Sequence, residues 1–293
     1  MYVSILFSYF CRLIIALLNC TIMKSIIWGK IEKLNKEYNS LNLGEVVDYN
    51  KFYLYSIITH STAIEGSTLT EKDTQLLFDD GITAKGKPLV HHLMNEDLKN
   101  AYFFAMDEAK KRTSITPDFI KNINSMLMLR TGSINNTLGG AFDSSKGEYR
   151  LCGVTAGYGG KSYMNYQKVP QKVQELCDNL NQKIQSNKTM QDIYDLSFDA
   201  HLNLATIHPW VDGNGRSSRL LMNYIQFYGN VVPTKIFKED RAEYISSLIT
   251  SREKESPAPF RDFMAKQHEK TLNVEISTYK RESEKSNGLG LMF

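Results

Sequence analysis

The stretch "HPWVDGNGRSSR", residues 208–219, places one histidine, one aspartate, an asparagine flanked by glycines and two arginines in a short run of chain. What lies on either side of it decides the fold. Upstream, apolar residues at Ile193, Leu196, Ala200, Leu204 and Ile207 predict an amphipathic helix from about Met190 to Ile207. The His208-Pro209 pair ends it, because a residue before proline is pushed out of the helical region. Downstream, Leu220, Leu221, Tyr224, Ile225 and Tyr228 predict the inward face of a second helix that stops at Gly229. The stretch is therefore a helix–loop–helix junction.

Helical periodicity continues outward. Ile27, Ile31 and Leu34 mark a first helix, and a second amphipathic stretch covers roughly 48–64. "TEKDTQLLFDDG" reads as a short helix with Thr70 as N-cap, Asp73 three residues on and Gly81 past the end. Further helices are predicted through "NEDLKNAYFFAMDEAKK", after Thr116-Pro117, and from Val169-Pro170 with Val173, Leu176, Leu180 and Ile184 on one face. Residues 131–169, rich in glycine, asparagine and serine, break the pattern and predict a loop and a β-hairpin. The expected fold is all-α, a helical bundle with one short hairpin.

The 293 residues suffice for a proper hydrophobic core, and 35 basic against 32 acidic side chains give a net charge of +3 without a basic stripe. A nucleic-acid partner is not expected. Cys11, Cys20, Cys152 and Cys177 have neither a metal spacing nor the density of a stapled secreted domain, and read as free thiols in a reducing, cytoplasmic setting. The apolar leader 1–22 contains Arg12 and lacks a signal-peptide n-region. Two readings fit it: a weak membrane anchor, or a start mis-assigned upstream of Met23.

Chemistry follows from the junction. The backbone from Gly213 to Gly215 enters a helix N-terminus whose amides lack intrahelical acceptors, which makes an anion site. Arg216 and Arg219, three apart, are expected to project from one face beside it, suiting several phosphates in a row. Asp212 is a hard oxygen ligand of the type Mg²⁺ uses when it also holds phosphates. His208 is expected to serve as a base near neutral pH without a large pKa shift.

These residues resemble the core motif of the Fic family, His-x-Phe-x-(Asp/Glu)-Gly-Asn-Gly-Arg-x-x-Arg, with Trp210 where the family prefers phenylalanine. The resemblance spans roughly residues 50–268. It implies a Fic fold and transfer of AMP from ATP to a hydroxyl side chain of a target protein. It also implies His208 as the base, Asp212 holding Mg²⁺, and Gly213, Asn214 and Gly215 as the anion hole with the Asn214 side chain on the α-phosphate. Arg216 and Arg219 would then take the β- and γ-phosphates. Gly213 favours AMP transfer, since the related Doc toxins, which phosphorylate, carry alanine there.

Two further stretches become readable beside that motif. "STAIEG", residues 61–66, is similar to the family's inhibitory pattern (Ser/Thr)-x-x-x-Glu-(Gly/Asn). It implies that Glu65 pairs with Arg219 and that Ser61 fixes the helix; without the resemblance the stretch reads as an exposed helical end with Gly66 as C-cap. In some relatives the same glutamate orients water to remove AMP. "KGEYR" resembles the family's Gly-x-(Tyr/Phe)-Arg lead-in, and Lys161, Ser162, Tyr163, Met164, Asn165 and Tyr166 would form a flap that clamps the target by strand pairing. The expected organisation is a leader at 1–22, N-terminal helices at 23–130 with an inhibitory helix at about 50–66, a catalytic core at 131–268 and a polar tail at 269–293.

Other signals are weaker. "TAGYGGKS" ends like a P-loop, but Thr155 replaces its first glycine and no helix follows at once. His91 and His92 read as surface or packing residues, and His201 as a core residue behind the site. Two other functional classes stay open: a silent nucleotide-sensing helical module, and transfer of another phosphate-containing group. The sequence leaves the target and the oligomeric state open, a homo-oligomer included.

Overall fold

The computed structural model describes residues 25–43, 48–156, 160–186 and 189–289. The expected leader and Cys11 and Cys20 lie outside them. Helices dominate: α1 (25–40), α2 (Tyr49–Ile64), α3 (Glu71–Asp80), α4 (Leu89–Lys110), α5 (Pro117–Met128), α6 (Val169–Ser186), α7 (Met190–Ile207), α8 (Asn214–Tyr228), α9 (Arg241–Glu253) and α10 (Ala258–Leu289). Strands β1 (Ile134–Thr137) and β2 (Gly140–Asp143) pair antiparallel, with Ile134 opposite Asp143.

Local chemistry sets the ends as the sequence predicts. Thr70 caps α3 through a reciprocal box with Asp73, and Gly81 closes it at φ 69°. Thr116 accepts from the Phe119 amide at 3.0 Å, with Pro117 in the first turn of α5. The helix through "NEDLKN" is longer than that stretch: α4 begins at Leu89, six residues before it. Pro88 stands before it, His92 Nε2 accepts the Ala84 amide at 2.9 Å, and His91 Nδ1 accepts the Thr68 amide at 3.2 Å. The His91-His92 pair thus fixes the loops around this helix start.

The chain divides into residues 50–261 and a smaller unit of residues 1–49 with 262–293. In the smaller unit, Trp28, Ile31, Leu43, Leu272 and Ile276 are buried, Tyr49 donates to Glu275 at 2.9 Å and Lys280 meets Glu37 at 2.6 Å. The stretch expected as a polar tail continues α10 as helix to Leu289.

In the larger unit, α8 packs against α7, α4 and α5. It is buried on all sides from Arg216 to Gln226, not only along the predicted apolar stripe. Its buried amide side chains, Asn223 and Gln226, are satisfied internally. Tyr102 donates to Asn223 at 2.6 Å, Asn223 to Gln226 at 2.9 Å, and Gln226 to Ser197 at 2.9 Å. Because α8 cannot move without breaking this network, its first turn is a rigid platform for whatever binds there.

Trp210, in the loop before that turn, is fully buried, and its indole N–H donates to the Gly147 carbonyl at 3.0 Å. The larger ring is thus accommodated and given a partner. Trp210→Phe is expected to lower stability by about 1–3 kcal/mol, through the orphaned carbonyl and the lost ring volume, measured by urea unfolding.

Candidate active site

Gly213 caps α8 at φ 78°, where an added Cβ would fall 2.6 Å from Asn124 Nδ2. No side chain caps the helix, so the amides of its first turn face the loop. Asn214, expected on a phosphate, donates to the Trp210 carbonyl at 2.9 Å and accepts from the Trp210 amide at 3.1 Å. Its side chain holds the loop closed. Asn124 on α5 helps by donating to Ser217 at 3.1 Å.

The two arginines do not share one face, as the spacing suggested. Arg216 turns toward α5 and Asp212, with Nη1 3.4 Å from the Leu127 carbonyl and Nη2 3.4 Å from Asp212 Oδ1. Arg219 turns toward α2 and α9. Its Nε donates to Ser61 Oγ at 2.8 Å, Nη2 to the Ser61 carbonyl at 3.0 Å and to Glu65 Oε1 at 2.6 Å, and Nη1 to Tyr244 Oη at 3.3 Å. Both guanidiniums are buried beside the helix entrance, and the charge of each acts on Glu65.

Glu65 sits in the turn that ends α2, with Gly66 at φ 101° behind it. Burial alone would raise its pKa, but Arg219, with Arg216 and Arg241, holds it below the ordinary carboxylate range. Its carboxylate lies over Gly215, where any Cβ would collide with Oε1. Asp212 is the opposite case: its side chain is 64% exposed, with Oδ1 bonded to the Gly213 amide.

Behind Arg219, Tyr244 Oη also meets His201 Nε2 at 2.9 Å. His201 is fully buried and stacked on Phe260, and burial with the Arg219 charge pushes its pKa well down. It is the core residue expected behind the site. The Tyr244 contact was not anticipated, because only an inward direction was legible for that residue.

His208 ends α7 in a left-handed conformation, φ 53° and ψ 63°. Its Nδ1 lies 3.3 Å from the Ala205 carbonyl. A carbonyl can only accept, so the proton sits on Nδ1 and Nε2 keeps its lone pair. Contrary to expectation, the pKa is strongly shifted: burial, against the Ala205 contact and helped by Arg150 and Arg252, lowers it to about 4.

Residues 154–156 and 160–163 pair as two antiparallel arms, distinct from β1–β2, with Thr155 bridged to Ser162 and the Tyr163 amide on the Val154 carbonyl at 3.0 Å. This pairing, not a helix, follows Thr155, so "TAGYGGKS" is no P-loop. Of the expected flap residues, Lys161, Ser162, Tyr163 and Met164 lie on or beside its second arm, whereas Asn165 caps the turn Tyr166–Lys168 that opens α6. Tyr163 stacks on the His208 ring at 3.7 Å with Arg252 over its other side, and Lys161 meets Glu253 at 2.8 Å.

Residues 114–226, which include this junction, match the Fic/DOC family model. The chain carries a Fic domain. It is 28% identical to the protein adenylyltransferase fic-1 of Caenorhabditis elegans over 235 residues, covering 80% of this chain and 43% of that one. To the protein adenylyltransferase Fic of Drosophila willistoni it is 31% identical over 219 residues, 74% of this chain and 40% of that one. The chain spans less than half the length of these curated relatives. A Fic domain containing signaling protein from Bacteroides thetaiotaomicron superposes with a TM-score of 0.73 at 22% identity, covering 86% and 97% of the two chains. A C. elegans Fic-1 fragment does so at 0.70 and 22% identity, covering 89% and 75%. Glu65 and its helix lie outside the matched Fic segment.

The depressed histidines carry a consequence for stability. Groups buried neutral must charge when the chain unfolds in acid, so the unfolded state takes up the proton first. Stability is expected to fall as pH drops from about 6.5 toward about 4. Urea midpoints at pH 7.5 and 5 check the loss, and NMR titration of the imidazole checks that His208 titrates far below an exposed histidine.

Proposed function

We propose that this Fic domain is a protein adenylyltransferase that moves AMP from ATP to a hydroxyl side chain of a target protein, held inactive by Glu65. One observation carries the reading. A neutral imidazole with a free Nε2 lone pair sits beside a helix N-terminus flanked by two buried guanidiniums, one of them occupied by a carboxylate of the same chain.

The first-turn amides of α8 would hold the α-phosphate side of ATP, with Arg216 and Arg219 neutralising the leaving pyrophosphate. The target hydroxyl attacks the α-phosphorus as the bond to the β-phosphate oxygen breaks, and the hydroxyl proton passes to His208 Nε2. Asp212 suits Mg²⁺: its carboxylate is exposed, and no group of three or more His, Cys, Asp or Glu among the described residues would hold a metal without other ligands. Bound there with phosphate oxygens, the ion would offset charge on the leaving group.

Inhibition follows from competition. Arg219 cannot serve Glu65 and a γ-phosphate with full geometry, so the resting pair keeps ATP from its productive pose. The target strand would lie along the 154–163 flap, displacing Tyr163 from His208. Removal of AMP by a Glu65-oriented water is a further reading of the same carboxylate.

Incorporation of α-labelled ATP into the protein and into a cell lysate tests this. Glu65→Gly is expected to label at least about 10-fold more strongly than wild type, and Glu65→Gly with His208→Ala to lose the signal. Equal labelling of wild type and Glu65→Gly would remove the inhibitory role. ATP binding without labelling in any variant would favour the silent module. The mass added to a labelled peptide separates AMP from phosphate.

A further inference from the structure

We propose that Arg150 is a positioning residue that ties the flap to the catalytic turn, so that seating a target strand on the flap fixes the main chain of His208. Its role in transfer rests on the reading above; the coupling itself rests on geometry. The Arg150 side chain is fully buried. Among the described residues its hydrogen bonds go to main-chain carbonyls: Nε to His208 at 2.8 Å, Nη1 to Cys152 at 2.7 Å and Nη2 to Met164 at 2.7 Å. Its own amide donates to the Pro209 carbonyl at 3.0 Å.

Cys152 and Met164 are the roots of the two paired arms, 154–156 and 160–163. One planar group therefore grips both arms of the flap and the carbonyl of the catalytic residue. That carbonyl needs gripping. A histidine at φ 53° is held in a conformation that costs roughly 1–2 kcal/mol, and such strain persists only where the surroundings over-determine it.

A buried cation whose hydrogen bonds go only to carbonyl dipoles is an expensive way to fill space. The fork supplies what an apolar side chain cannot: donors diverging toward three carbonyls at fixed angles. Lysine offers a single mobile ammonium. The "KGEYR" lead-in thus gains a physical role at its last residue.

The test uses the Glu65→Gly protein as parent, with Arg150→Lys and Arg150→Gln introduced into it. Three readouts are taken: binding of a fluorescent ATP analogue, the rate of self- and lysate labelling by α-labelled ATP, and amide hydrogen exchange. Arg150→Lys is expected to bind the analogue within about threefold of the parent yet to label about 100-fold more slowly, the cost of misplacing a reacting group by an ångström. Amides at the flap roots and at the turn 207–209 should exchange faster together. Labelling within about threefold of the parent overturns the role in transfer. Faster exchange at the flap alone, with the turn unchanged, overturns the coupling. If the parent does not label, the adenylyltransferase reading fails, while the exchange result still decides the coupling. Failure of both variants to fold assigns Arg150 a wholly structural role and overturns the proposal.

Discussion

A guanidinium buried beside the first turn of a central helix must be neutralised, and much of this domain is arranged around that need. Arg219 is desolvated by α8's own burial, and three residues from two elements supply its partners: Ser61 and Glu65 from the end of α2, and Tyr244 from α9. Removing one partner of such a pair leaves an uncompensated charge at a cost of several kcal/mol. An anionic polyphosphate is a replacement of the same sign as Glu65. The resting ion pair and the proposed substrate site are in this sense one electrostatic requirement met in two ways.

The rigidity of α8 would make the proposed competition sharp. Asn223 and Gln226 lock the helix to Tyr102, Ser197 and Thr234, and Asn214 locks the loop to Trp210. Two short pieces reach over this fixed platform: the turn carrying Glu65 and the paired arm carrying Tyr163. Both sit on the site in the present structure, the first over Gly215 and the second against His208.

The sequence revealed what is local. Helix ends at Thr70, Gly81, Thr116 and His208 were legible because capping and proline chemistry act over a few residues. The junction 208–219 was legible because its side chains are contiguous. Less accessible were contacts made by folding. Tyr244 and His201 meet across 43 residues of sequence, and Asn124 reaches Ser217 across 93. The opposed directions of Arg216 and Arg219 depend on which helix packs on each side of α8, and a three-residue spacing cannot report that. The pKa of His208 depends on burial by the flap and on nearby arginines, which no local pattern encodes.

Glu65 is held by a chain turn closed at Gly66, just beyond the last residues of α2, rather than in the helix interior. On the proposed reading, the carboxylate would leave Arg219 by rotation of a few backbone bonds, with the helix intact. Linkage then applies with equal force in both directions. On that reading, a partner that pulled the turn outward would tighten nucleotide binding by some factor, and nucleotide at saturating concentration would loosen the turn toward that partner by the same factor. With inhibition as proposed, a short hinge at a helix end would make the domain a reciprocal sensor, reading nucleotide level and partner occupancy through one side chain.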